Sequence, residues 1–178
     1  MLIDASAAEF ARYRRMAEKA AAQVSWGRLR EAMDPEVNSV AVNMKHVAGS
    51  LTSRWTDVLT SDGEKAWRDR DAEFRDDFAD RAAMERLWRE GWAVLYGALA
   101  ALSDADLSRT VRIRGEAMTL ASALARSLAH VAYHCGQIVQ DCRVHASRDG
   151  VEWETLTIAR GKSEEYNRGM GYWTSASQ

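Results

Sequence analysis

Apolar residues recur along the chain at the three-to-four-residue spacing of a helix in four long stretches. In the first, residues 5–25, Phe10, Met16 or Ala17, Ala20 and Val24 stand among Ala, Glu, Lys and Arg, which are strong helix formers. The only proline, Pro35, and then Asn38 mark a turn, after which Val40, Met44, Val47 and Leu51 make a second stripe. A third runs from about 80 to 102 through Met84, Trp88, Trp92, Leu95 and Leu99. The fourth starts after Thr119 and carries Leu124, Leu128, Val131, Cys135, Ile138 and Cys142 on one side until about 147.

The connections are less regular. Residues 52–74 form a long polar loop that mixes Trp with charge and holds an Asp62-Gly63 turn signal; long loops of this kind are usually functional or mobile. Residues 109–115, RTVRIRG, alternate like a short strand, although seven residues make no sheet by themselves. After Val151 a brief apolar patch, Trp153 to Ile158, gives way to polar residues and Gly. Four long helices with these connections predict an all-α four-helix bundle. At 178 residues the chain reads as one domain over 1–178, with a loosely packed tail from about 151.

Charge narrows the partners. Twenty-four basic and 26 acidic residues give a formal net charge of −2, which does not call for nucleic acid. The clusters Arg12, Arg14, Arg15 and Arg109, Arg112, Arg114 are interleaved with other residue types and read as solvated faces. No run of about 18 apolar residues calls for a membrane. Cys135 and Cys142 lie seven apart on one predicted helix, about 10 Å at 1.5 Å per residue and too far for a disulfide. A cytoplasmic protein with reduced thiols is expected, and a two-fold homodimer is the base-rate assembly.

The chemistry concentrates in 130-HVAYHCGQIVQDC-142. Residues i and i+4 lie one above the other on a helix, so His130 and His134 offer two nitrogens to one point. His46 flanks the second apolar stripe as that pair flanks the fourth, and Gly49, Ser50, Ala123 and Ser127 beside them are small, leaving room for something bound. Three neutral imidazoles would form a metal triad with an open position for water or substrate, and with no anionic ligand the ion would keep its full charge. The alternative, buried histidines satisfied by hydrogen bonds, stays open. A zincin pattern is absent because Val131 stands where its Glu would be. His145, three turns from His134, is too distant to share an ion and is expected at the surface.

The layout resembles the DinB/YfiT-like superfamily of metalloenzymes. His46 in 43-NMKHVAGS-50, with His130 and His134 in 130-HVAYHCGQI-138, matches that family's one-plus-two histidine pattern. The stretches 38-NSVAVNMKHVAG-49, 54-RWTDVLTSDGEKAWRDRDAEF-74 and 161-GKSEEYN-167 are similar to one uncharacterised bacterial subgroup. The resemblance implies an up-down-down-up bundle binding a divalent ion, Zn or Ni, through His46, His130 and His134. It implies further that a low-molecular-weight thiol such as bacillithiol, mycothiol or glutathione, or water, attacks a small electrophile or opens a ring, as in a thiol transferase or hydrolase. A non-catalytic, metal-stabilised bundle that binds a ligand or serves a stress response is the alternative.

Around the triad, Gln137 is one turn beyond His134 and could orient an imidazole. Arg54 and Trp55 follow the His46 helix and could roof a site; Asn43, one turn before His46, could point to the same cavity. Asp57 reads as a surface residue. Cys135, about 100° round the helix from His134, is expected in the core, as are Trp88 and Trp92. Gly161-Lys162-Ser163 lacks the earlier Gly of a phosphate loop, where Leu156 stands instead.

Overall fold

The computed structural model describes residues 1–171, and the protein is mostly helical over them. Its elements are α1 (Leu2–Ala22), α2 (Trp26–Arg30), α3 (Val40–Trp55), α4 (Arg81–Ala100), β1 (Thr110–Ile113), β2 (Glu116–Thr119), α5 (Leu120–Arg148) and α6 (Ser163–Gly169). Single 3₁₀ segments cover Ala72–Phe74 and Asp104–Ser108. The four long helices coincide with the four apolar stripes. Beyond them, the short α2 follows α1, and α6 interrupts the expected tail, of which residues 172–178 lie outside the described ones.

Each long helix starts where a polar oxygen meets an otherwise unpaired amide. Ser39, Asp80 and Thr119 accept from the amides of Val42, Ala83 and Ser122 at 3.3, 2.7 and 3.1 Å, the N-cap geometry. The first turn of α1 is capped from far along the chain, since the Asp104 carboxylate accepts from the amides of Leu2 and Ile3 at 2.8 and 3.0 Å. The helix α5, 29 residues long and therefore roughly 43 Å, ends at Asp149-Gly150, where Gly150 takes φ +68°.

The helix α3 packs against both α4 and α5, while α1 packs against α5 and, less extensively, α4. The approach of α3 to α4 is close because Gly91 has no side chain: a Cβ there would stand 2.7 Å from Ala48 Cα. Phe10, Leu51, Trp92, Leu95, Val131 and Ile138 are all buried in the resulting core. Phe10 meets Trp92 edge-on at 6.3 Å between centroids, and Trp88 meets it likewise at 5.4 Å. Cys135 and Cys142 are free, buried members of this core.

The extended segment before α5 does find a partner. β1 pairs antiparallel with β2, Thr110 opposite Thr119 and Ile113 opposite Glu116. Arg114 and Gly115, at φ +56° and +76°, make the tight connection whose positive φ angles suit a two-residue hairpin. The long loop holds this hairpin in place. Asp62 accepts from the turn amides of Arg114 and Gly115 at 2.8 and 2.7 Å, and the Gly63 amide donates to the Arg112 carbonyl at 2.8 Å. The Asp62-Gly63 turn signal is thus the clasp between loop and hairpin.

Candidate metal centre

The histidines of α3 and α5 converge. The ring centroids of His46, His130 and His134 lie 5.1, 4.8 and 4.6 Å apart in pairs, and one ligand atom from each falls within 4.8 Å of the others. His46 Nε2 stands 3.1 Å from His130 Nε2. Two nitrogens bound tetrahedrally at about 2.0–2.1 Å would be separated by roughly 3.3 Å, so that pair already has the spacing of shared ligands. The three imidazoles could hold a metal ion.

Their protonation suits that use. Burial pushes His130 down to about 3, reinforced by the charges of His134, His46, Arg68 and Arg54. Burial likewise takes His134 down to about 4, with His46 adding to it and Gln137 opposing it. Both rings are therefore neutral at pH 7, with a lone pair available to a cation. The buried Nδ1 of His134 has no hydrogen-bond partner among the described residues, and neither has Gln137 Oε1. Three converging imidazoles, His130 and His134 among them neutral, are a donor set that fits a divalent ion.

A carboxylate that the sequence did not single out stands behind the triad, as a partner of one imidazole and outside the three-histidine ligand set. Glu73, buried at the end of the long loop, lies 2.8 Å from His46 Nδ1. Burial alone would raise its carboxyl, but the hydrogen bonds from His46 and Arg68 outweigh that and hold it below the ordinary range. The ionised carboxylate can only accept, so His46 Nδ1 carries a proton towards it and Nε2 is the nitrogen turned to His130. Arg68 fixes the carboxylate from its other side, through Nε to Oε1 at 2.7 Å and Nη2 to Oε2 at 2.9 Å. The room beside Gly49 turns out to belong to Glu73, whose carboxylate occupies the place of a Cβ on that glycine. The sequence held only an indirect signal: a glycine one turn beyond His46 and a loop ending in 68-RDRDAEF-74.

A cavity of about 190 Å³ opens over His46 and His130. Arg54 and Trp55 line it, as do Ser50, Ala123 and Ser127. Trp55 is buried, and its Nε1 donates to Ser127 Oγ at 3.0 Å. His134, Asn43 and Gln137 are not among the lining residues. Asn43 is buried with its Oδ1 unpartnered among the described residues, and Gln137 donates to the Tyr133 hydroxyl at 3.3 Å. Asp57 is exposed on a left-handed turn at φ +49°.

Two expectations are corrected here. His145 is not at the surface: it is fully buried, and its Nε2 lies 3.1 Å from the Glu31 carbonyl oxygen. The segment after α2 covers that end of α5, which the helical stripe alone did not reveal. Arg112 and Arg114 are exposed, yet they also line the cavity, because the hairpin folds back over α5.

Fold and site together define a mostly helical protein with a three-histidine centre able to hold a metal ion. The chain belongs to the family described as "Protein of unknown function (DUF1572)", whose model matches residues 1–162, a span that includes every residue of the centre. No curated protein and no solved structure matches the chain. No helix among the described residues is long and apolar enough to cross a membrane.

Proposed function

We propose that this chain is a DinB-like metalloenzyme in which His46, His130 and His134 hold a divalent ion, Zn or Ni, at the floor of the cavity. On this reading α1, α3, α4 and α5 are the four helices of an up-down-down-up bundle. The observation that carries the reading is the convergence of three imidazoles from α3 and α5 beneath a cavity. When bound, such an ion supplies Lewis acidity and lowers the pKa of a thiol or water that then attacks a small electrophile.

The chain's own residues have separable tasks. Glu73 keeps the proton on His46 Nδ1 and so aims Nε2 inward; Arg68 keeps Glu73 ionised. Gln137 takes the matching part for His134 by accepting from Nδ1, which pairs the two orphaned atoms. Arg54 and Trp55 form a cationic and a flat apolar wall for the substrate, and Asn43 contributes from the neighbouring turn of α3. The reacting partners are a small electrophile and a low-molecular-weight thiol or water, in a cytoplasmic, homodimeric protein.

A second reading has its own support: His46 and His134 are only 5 % and 8 % exposed, as suits an ion that stabilises a non-catalytic, ligand-binding bundle. Elemental analysis of tag-free wild type, His46→Ala and His134→Ala, with helicity followed by circular dichroism, tests both. About one ion per chain in the wild type, lost from both variants while they stay helical, is the expected result. A wild type that cannot be loaded with Zn²⁺ or Ni²⁺ overturns the metal reading. A melting temperature that falls in step with ion loss, without any turnover to lose, selects the structural alternative.

A further inference from the structure

The cavity above the histidines is walled by cations. Arg54, Arg68, Arg70, Arg112, Arg114 and Arg126 all line it, and no Asp or Glu is among its lining residues. They come from four places in the chain: the end of α3, the long loop, the hairpin and the first turns of α5. Concentrating like charge round a concavity raises the local potential and opposes folding, so it calls for a compensating group.

Nearby carboxylates compensate only in part. Glu64 is shared by Arg54 at 2.8 Å, Arg114 at 3.2 Å and Arg68 at 3.4 Å, while Glu73 serves Arg68 and His46. Arg126 has a loose contact to Glu116 at 3.9 Å. Arg70 and Arg112 have no ion pair among the described residues: Arg70 lies over the Phe74 ring at 5.1 Å, and Arg112 donates to the Gly115 carbonyl at 3.0 Å. The crowding is felt by Arg54, which is lowered by burial, with Glu64 opposing and the charges of Arg68 and Arg114 adding to the shift.

Part of the remaining lining is apolar. Trp55, Val58, Val111 and Ile113 face the same space, and at about 190 Å³ it lies below the range of roughly 300–1,000 Å³ usual for drug-sized ligands. A guanidinium left without a carboxylate is a bidentate receptor for a carboxylate or phosphate. We infer that the cavity binds a small organic acid, its anionic head held by Arg70 and Arg112 and its apolar body against Trp55, Val58, Val111 and Ile113. The inference deepens the metal reading by assigning the substrate class of that cavity, and rests on it only for what the acid meets at the floor. Nucleic acid is disfavoured because the arginines surround a hollow of only about 190 Å³ in a chain of net charge −2.

The test is titration calorimetry with benzoate and phenyl phosphate as anionic probes and benzyl alcohol as neutral isostere, on chelator-stripped and on zinc-treated protein. At least one acid is expected to bind the stripped wild type at least tenfold more tightly than the alcohol. Arg70→Gln and Arg112→Gln should each weaken it about tenfold, whereas Arg89→Gln, exposed on α4 and outside the cavity, should leave it unchanged. Which probe binds better tells a carboxylate from a phosphate head. That pattern stands even if the chain never takes up zinc, so a failed metal site does not hide it. Equal binding of acid and alcohol, or arginine variants that bind like wild type, overturns the inference. So does acid binding that appears only after zinc treatment and ignores the arginines, an outcome that leaves the metal reading intact. A single-stranded oligonucleotide that binds more tightly than phenyl phosphate and displaces it also overturns the small-molecule assignment.

Discussion

The helix α5 carries imidazoles in two settings, and surroundings separate them better than depth, since His134 and His145 are both buried while His130 is half-buried. At one end His145, with no exposed surface, packs beside the buried Cys142 and Ala146 and reaches a main-chain carbonyl. Three to four turns earlier His134 and His130 face a third imidazole that a carboxylate orients, and His130 also lines an arginine-walled hollow. Burial is therefore a poor discriminator of function along this helix. Convergence of like donors from two helices is the better one.

The two settings should separate under mutation. His145→Ala is expected to cost about 2–3 kcal/mol by urea denaturation, from the lost packing and hydrogen bond, with ion uptake unchanged. His134→Ala should show the reverse: no ion bound, and a smaller loss of stability in the metal-free protein. If both variants behave alike in both assays, the distinction between the two ends collapses.

Glu73→Gln keeps the side chain's shape but removes its charge. Ion affinity is expected to fall about 10–100-fold, the usual effect of losing a partner behind a ligating histidine, as read by competition with a chromophoric chelator. Gly49→Ala approaches the same pair from the other side, since its new methyl would displace the Glu73 carboxylate. A weaker loss of ion affinity, with helicity kept, should follow; an unchanged affinity would mean that Glu73 does not aim His46.

Acid supplies a milder probe. His130 and His134 are held below the ordinary histidine range, so from about pH 6.5 downward the unfolded chain binds protons that the folded, metal-free protein refuses. Stability rises with pH wherever the unfolded state binds more protons, so the melting temperature should decline as pH falls from about 6.5 towards 4. Glu73, held below its ordinary range, adds a loss in the same direction only at lower pH, as it becomes protonated. In His130→Ala the decline between pH 6.5 and 4 should shrink. The smallest effect belongs to the thiols: burial pushes Cys135 and Cys142 up to about 12. Neither should react with a thiol reagent at pH 7.5 until the protein is unfolded.

Much of this was legible in advance. The apolar stripes placed the four long helices to within a few residues, because a helix is a local structure and its period is written in consecutive side chains. The i, i+4 histidines and the offset of His46 from its stripe named the three imidazoles that converge, for the same reason. Hidden from that reading were the partners that arrive from elsewhere. Glu73 is one of 26 acidic residues, and nothing local marks it as the one that reaches His46. His145 sits on a stripe position like its neighbours, and only the segment after α2 covers it. Arg112 and Arg114 look like solvated strand residues until the hairpin turns them over α5.

The sequence by itself determined the four long helical segments, and that three imidazoles flank the apolar faces of two of them. The tertiary structure alone decided that those faces meet, that a loop carboxylate selects the tautomer of one ring, and that arginines from separated segments surround a single hollow. The physical reason is range. Backbone propensity and side-chain period act over a few residues, whereas electrostatic selection of a proton or an anion depends on distances set by how the loop and hairpin return to the helices.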